Sequence, residues 1–232
     1  MILTAHQPTY LPWLGLFHKI ALSDKFIYLD NIQYEKNSWQ NRNKIKTSDG
    51  TLWLTIPVHA HINLNCNEIK IDNTHNWNQK HSKTIEINYT KAPYYESYKH
   101  FFKKIFSKKW EYLSELNEYI LKWFLDEFKI NTEFLKTSDF ELEGKKSDLI
   151  LEICEKFNAK KYVSGILGKN YIDPEIFRRK DITLIFQDYI HPNYKQLYGN
   201  FISNMSIIDL LFNCGPDSFK ILMSNNVSKS QL

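Results

Sequence analysis

The chain has 232 residues, 43% of them hydrophobic and 24% charged, with 30 Lys and Arg against 26 Asp and Glu for a net charge of +4. That is enough apolar material to bury a core within the size of one domain, and too much for a disordered chain. The charge excess is small and spread along the chain, which argues against a nucleic-acid footprint, and no run of eighteen apolar residues supplies a membrane span. The densest basic run, Lys103, Lys104, Lys108 and Lys109, falls in a helical stretch and reads as a solvated face. Cys66, Cys154 and Cys214 are widely spaced, with no Cys-x-x-Cys pair, and read as free thiols in a reducing compartment. Met1 to Thr4 carry no basic segment ahead of an apolar stretch, so a cytoplasmic protein is expected.

Ile2 to Ala5 form a short apolar strand ending at His6-Gln7, and Pro8 and Pro12 hold the next segment in a loop. Leu14 to Leu22 has helical apolar spacing and Asp24 to Leu29 reads as a second strand, which makes a βαβ unit. Gln33 to Gly50 is polar and basic, Asp49-Gly50 is a tight-turn signal, and strands follow at Leu52 to Val58 and Glu68 to Asp72. Residues from about Trp77 to Phe128 repeat apolar positions at helical intervals, broken at Pro93, and read as a helical insertion covering the sheet. α/β alternation then resumes with a helix over Ser147 to Phe157, strands at Lys161 to Ser164 and Thr183 to Gln187, and a loop from Asp188 to Tyr198. A buried helix over Ile207 to Phe212 stops at Gly215-Pro216, and a polar tail from Ser224 is expected to fray. The expectation is therefore a single α/β domain, residues 1–223, with a Rossmann-like, nucleotidylyltransferase-like, mainly parallel sheet.

Two segments concentrate functional side chains. In His6-Gln7-Pro8-Thr9-Tyr10-Leu11-Pro12-Trp13 a His and a Gln end a strand, where parallel sheets hold their ligands, and two prolines stiffen the loop. His6 is a candidate general base and Gln7 a donor or acceptor; a plain tethering role for His6 is the competing reading. The second segment carries Lys36, Trp39, Asn41, Arg42, Asn43, Lys44 and Lys46, a mixture that could clamp an anion while a ring stacks, or could form a solvated hairpin. Lys169 follows two glycines after a strand, and His191 sits in a loop after another. His59 and His61 share a face of an extended segment without a third ligand, so no metal is expected. There is no Gly-x-Ser-x-Gly elbow and no phosphate loop of the Walker type.

His6-Gln7-Pro8, Tyr10-Leu11-Pro12-Trp13, Gly15, Lys19, Ser23-Asp24, Asp30, Gln33-Tyr34, Trp39, Asn41-Arg42-Asn43 and the Trp53 to Val58 strand resemble the WbqC-like family. So do Ser164-Gly165, Gly168-Lys169, Tyr171, Phe186-Gln187-Asp188, His191-Pro192, Tyr194 and Ser206 to Asn213, so the likeness runs over nearly the whole chain. The resemblance implies a place in bacterial O-antigen or surface-polysaccharide synthesis and transfer of glycine or a related acyl group to an amino sugar. More distantly, the opening βαβ unit resembles the fold of pantoate and β-alanine ligases, but His-x-Gly-His and Lys-Met-Ser-Lys-Ser are missing.

Together these readings lead to an acyl or aminoacyl transferase acting on a nucleotide-linked deoxyamino sugar, a small-molecule substrate, with neither nucleic acid nor membrane as partner. The donor is an activated acyl group, its aminoacyl or thioester form left open. His6, Gln7 and His191 are the expected catalytic residues, His6 or His191 as base and Gln7 or Asn43 as oxyanion donor. Arg42, Lys46 and Lys169 are expected on the diphosphate, and Tyr10, Trp13, Lys19, Lys36, Trp39, Asn41 and Asn43 complete the expected substrate contacts. A non-catalytic sugar-nucleotide binder and an ATP-dependent amide ligase are the alternatives.

Overall fold

The structure is a computed structural model, and it describes residues 1–59 and 63–232. The chain opens with β1 (Ile2–His6), α1 (Leu14–Ala21) and β2 (Lys25–Tyr28). A β3–β4 hairpin (Arg42–Thr47, Gly50–Thr55) and a short β5–β6 pair (Val58–His59, Lys70–Ile71) follow. Next come α2 (Trp77–Tyr89), α3 (Tyr95–Ser107) and α4 (Leu113–Glu127), which are the expected helical insertion. The last part runs β7 (Glu133–Lys136), α5 (Ser147–Lys156), β8 (Lys161–Gly165), α6 (Pro174–Arg178), β9 (Thr183–Gln187), α7 (Ile207–Cys214) and α8 (Ser218–Met223).

The central sheet has the order β7-β2-β1-β8-β9 and every pairing in it is parallel. Numbered by their turn in the chain these strands stand 3-2-1-4-5, the order of a Rossmann-type fold, whose direction reverses between β1 and β8. Parallel strands are covered on both faces, and the side chains show it. On β2, Phe26 and Tyr28 enter a large core with Phe17, Phe124 and Leu211, while Ile27 enters a smaller one with Leu3, Ala5, Ile153 and Phe177. On β1, Leu3 and Ala5 take the smaller core, so Thr4 and His6 alternate to the opposite face, the one that α1 covers.

Strand β7 was not anticipated. Its four residues, Glu-Phe-Leu-Lys, carry charges at both ends on a sheet edge and give no alternation long enough to read. What fixes it is tertiary: the Asp30 carboxylate at the end of β2 accepts bonds from the Thr137 and Ser138 hydroxyls and the Ser138 amide. The tail expected to fray is instead tied down. Val227 O accepts from the His18 ring at 3.0 Å, Asn226 exchanges bonds with Ile190, and Lys229 reaches the Asp24 carboxylate at 2.6 Å. No described helix is long and apolar enough to cross a membrane.

The loop after β1 is strained. Leu11 has φ +43 although Pro12 follows it, and a residue before proline is normally extended. The Asn43 amide on β3 holds this conformation by donating to Leu11 O at 2.6 Å and to Tyr10 O at 3.2 Å. Trp39 O accepts from Tyr10 N and Pro12 O from Ile207 N, so three separate segments fix the loop. Asn43→Ala should therefore lower stability by about 1–3 kcal/mol, the cost of leaving buried carbonyls unpaired. A urea midpoint at the parent value would show that the loop holds its shape without Asn43.

Candidate functional site

His6 ends β1 beside the point where strand order reverses, and its ring has one orientation. Nδ1 lies 2.8 Å from Gln7 O; a carbonyl only accepts, so Nδ1 carries the proton and the lone pair is on Nε2. The Thr9 hydroxyl, buried, donates to the same carbonyl at 3.2 Å. Burial, joined by the nearby Lys19 ammonium, lowers the His6 pKa to about 3, with the Gln7 carbonyl pulling weakly the other way. The expectation of an ordinary base titrating near neutrality is thereby corrected: His6 is a neutral imidazole across the physiological range and a weak base.

Lys19 lies on α1, 3% exposed, and donates to Ala5 O at 2.9 Å. Burial lowers its pKa to about 7, so its amine is close to half neutral at pH 7. Gln7 accepts from Gln40 Nε2 at 3.0 Å through its side-chain oxygen, which leaves its own amide N–H groups as donors. Gln40 is itself buried and fixed, its carbonyl accepting from Asn117 at 2.8 Å and its side-chain oxygen from Glu35 N. Thr9 and Gln40 were missed because a Thr inside a loop and a Gln among amides have no distinguishing pattern in sequence.

His191 repeats the arrangement of His6. Its Nδ1 donates to the next residue's carbonyl, Pro192 O, at 3.0 Å, and its Nε2 is buried without a partner among the described residues. Burial lowers its pKa as well. The ring sits among Tyr189, Tyr194 and Phe201, and Tyr189 in turn meets the Trp13 ring edge-on at 5.5 Å. Trp13 lies flat over Gly15, where a Cβ would stand 2.3 Å from the indole, so no larger residue fits there. The start of α1 thus joins the His191 loop to the loop that carries Gln7.

The remaining expected residues divide. Tyr10 is wholly buried with its hydroxyl on His81 at 2.9 Å, and belongs to the core. Asn41 is buried and donates to Ile56 O. Asn43 has both amide hydrogens engaged by loop carbonyls, so it is not a free oxyanion donor. Lys46, 2% exposed, donates to Asn200 O at 2.6 Å beneath the 188–206 loop and is not open to a diphosphate there. Lys36 is exposed, and Lys169 lies over the Phe186 ring beyond the end of β8. Arg42 on the hairpin and Trp39 just ahead of it both meet Trp53, the guanidinium 4.5 Å from its ring and the two indoles 5.1 Å apart. The His59–His61 pair falls partly outside the described residues, and no cluster of metal-ligating side chains occurs within them. The three cysteines are free, their thiols raised to about 12, 12 and 11 by burial first of all, which leaves them protonated and poorly nucleophilic.

A five-stranded parallel sheet in this order, with polar side chains gathered past the carboxyl end of its first strand, defines an α/β protein of the Rossmann type. Residues 7–221 match the WbqC-like protein family, and the chain belongs to it. It is 35% identical over 216 residues to a Mycobacterium tuberculosis protein bearing the name "Uncharacterized protein Rv1507c", a match covering 91% of this chain and 93% of that one. No solved structure matches the chain.

These ionisations set a pH dependence. The unfolded chain binds a proton at His6 near pH 6.5 and the folded chain only near 3, and His81, lowered to about 4 chiefly by burial, behaves alike. Unfolding therefore takes up protons in this window, and stability should fall as pH drops from about 6.5 toward 3. Lys19 acts at the other end: the unfolded chain keeps its proton up to about 10.5 and the folded chain loses it near 7, so stability contributed there rises with pH between the two. Imidazole NMR should show His6 neutral from pH 5 upward. Lys19→Met, by removing a positive neighbour, should raise the His6 midpoint above its parent value; an unmoved midpoint would uncouple the two groups.

Proposed function

We propose that the protein is a transferase that joins an acyl or aminoacyl group to the amine of a deoxyamino-sugar nucleotide. The observation that carries the reading is the pairing, beyond the carboxyl end of β1, of a neutral imidazole whose Nε2 lone pair is fixed with the adjoining Gln7 amide donor. An amine N–H hydrogen-bonded to Nε2 has its nitrogen lone pair aimed at the acyl carbon, and Gln7 supplies a donor for the oxygen that becomes negative. The new C–N bond forms, the bond to the activating group breaks, and the amine loses one proton. A base with a pKa near 3 holds that proton only briefly; Lys19, near its midpoint at pH 7, is the neighbour suited to take it.

The same weak basicity favours a second reading, a binding protein in which His6 only accepts a hydrogen bond. His6→Gln separates the two. On the transferase reading the melting temperature and sugar-nucleotide affinity stay near the parent values, while turnover in an acylation assay falls at least about tenfold, a modest fraction of what a positioned proton acceptor contributes. An unchanged rate removes His6 from the chemistry. A parent protein that binds sugar nucleotides yet acylates none of a panel, with any thioester or aminoacyl donor, is the binding module.

A further inference from the structure

In the β3–β4 hairpin, Arg42 pairs with Thr55, Lys44 with Trp53 and Lys46 with Thr51, so these six residues share one face. The other face carries Asn43, Ile45 and Leu54, all buried, and Leu52, which is exposed toward the turn. The hairpin's outer face is therefore a row of three cations at alternate positions, about 6.8 Å apart along the strand, facing an indole. Its Lys46 end is roofed by the loop bearing Asn200, whereas its Arg42 end is open.

At the open end the aromatic surface is doubled. Trp39 is 47% exposed and Trp53 39%, an unusual exposure for two indoles held in contact. The Lys44 ammonium lies 4.9 Å from the Trp53 ring and the Arg42 guanidinium 4.5 Å, so cations sit against one indole while the other stays uncovered. Arg42 donates to Asn37 O, and its Nε is buried with no partner among the described residues. Asn37 takes φ +62, bending the segment that brings Trp39 to Trp53. The platform adjoins the His6 site: Gln40, next to Trp39, holds the Gln7 side chain, and Trp39 O accepts from Tyr10 N.

We infer that this face of the hairpin is a nucleotide subsite, in which the uncovered Trp39 indole, backed by Trp53, stacks a planar base and Arg42 and Lys44 take the phosphates of a nucleoside diphosphate. The inference rests on the reading of the protein as one that handles a sugar nucleotide, and assigns the nucleotide portion its place. The exposed Trp39 face accepts any base plane, and the half-exposed Arg42 and Lys44 match the two charges next to it. With the nucleotide so placed, the attached sugar lies on the side of Gln40, toward Gln7 and His6. Lys44 belongs to the basic mixture visible in the sequence, but its pairing with Trp53 comes from the register alone.

Tryptophan fluorescence and calorimetry with UDP, dTDP and GDP as probes test it, with uridine, inorganic pyrophosphate and a short single-stranded RNA as comparison ligands. A nucleoside diphosphate should bind more tightly than either uridine or pyrophosphate. Trp39→Ala should weaken it about tenfold, the scale of one lost stacking contact, with much of the affinity restored in Trp39→Phe. Lys44→Gln should weaken UDP and pyrophosphate alike and spare uridine. Binding of none of the three diphosphates, indifference to Trp39→Ala and Lys44→Gln in folded variants, or tighter binding of the RNA each overturns the subsite. Turnover that needs His6 while the KM for the sugar nucleotide ignores Trp39 and Lys44 overturns the subsite and leaves the transferase standing. UDP bound through Trp39 and Lys44 by a protein that acylates nothing supports the subsite and overturns the transferase.

Discussion

The Asn43 amide donates its two hydrogens to the carbonyls of Tyr10 and Leu11, and through those bonds the hairpin, the loop after β1 and the start of α1 become one body. Without that grip the left-handed Leu11 ahead of Pro12 would relax toward extended backbone, and Gln7 and Trp13, on either side, would point elsewhere. The arrangement costs local strain and is maintained because the amide sits 1% exposed, where water does not compete for the carbonyls. A binding loop is usually the mobile part of an α/β fold; here it is clamped from outside the sheet.

The polar groups around this body share one electrostatic solution, which is to remain uncharged or fully bonded. His6 and His191 each give the Nδ1 proton to the next carbonyl in the chain, which fixes the tautomer locally and needs no carboxylate. Asp209, 1% exposed, has its pKa raised by burial, yet its oxygens accept from the Tyr89 and Tyr194 hydroxyls and the Gln196 amide. Tyr89 also meets the backbone of Lys46, so one buried carboxylate ties α7, α2, the hairpin and the 188–206 loop. Replacing such a network by apolar side chains can be neutral for stability, so its value lies in fixing where the loop runs.

Much of the fold was legible because the parallel strands, buried on both faces, write themselves as short apolar runs between helices of period 3.6: β1, α1, β2, α5, β8, β9 and α7 fall within a residue or two of where the spacing puts them. β7 was not, since an edge strand of four residues flanked by charge has no period of its own. His6 and Gln7 were legible as strand-end residues on a proline-stiffened loop. Tyr10, Asn43 and Lys46 misled because side-chain type shows what a group can bind and burial decides whether it is available. The cation row of Arg42, Lys44 and Lys46 was visible as composition, but its facing of Trp53 is a matter of cross-strand register, which sequence does not state.

The order of strands in the central sheet has a further consequence for how the chain reaches it. β1 stands in the middle, but one neighbour, β8, lies 159 residues away in the Thr4–Val163 contact, and β2 meets β7 across 108 residues in the Lys25–Glu133 pair. Loop closure over such distances comes before the contacts that reward it, so assembly of the sheet is slower than that of the local helical pairs. During synthesis β1, α1 and β2 emerge first, and the open edge of β1 must wait for some two-thirds of the chain. That edge is apolar at Leu3 and Ala5 and unpaired in the interval, so a nascent chain is exposed to association there, a hazard that the finished sheet conceals.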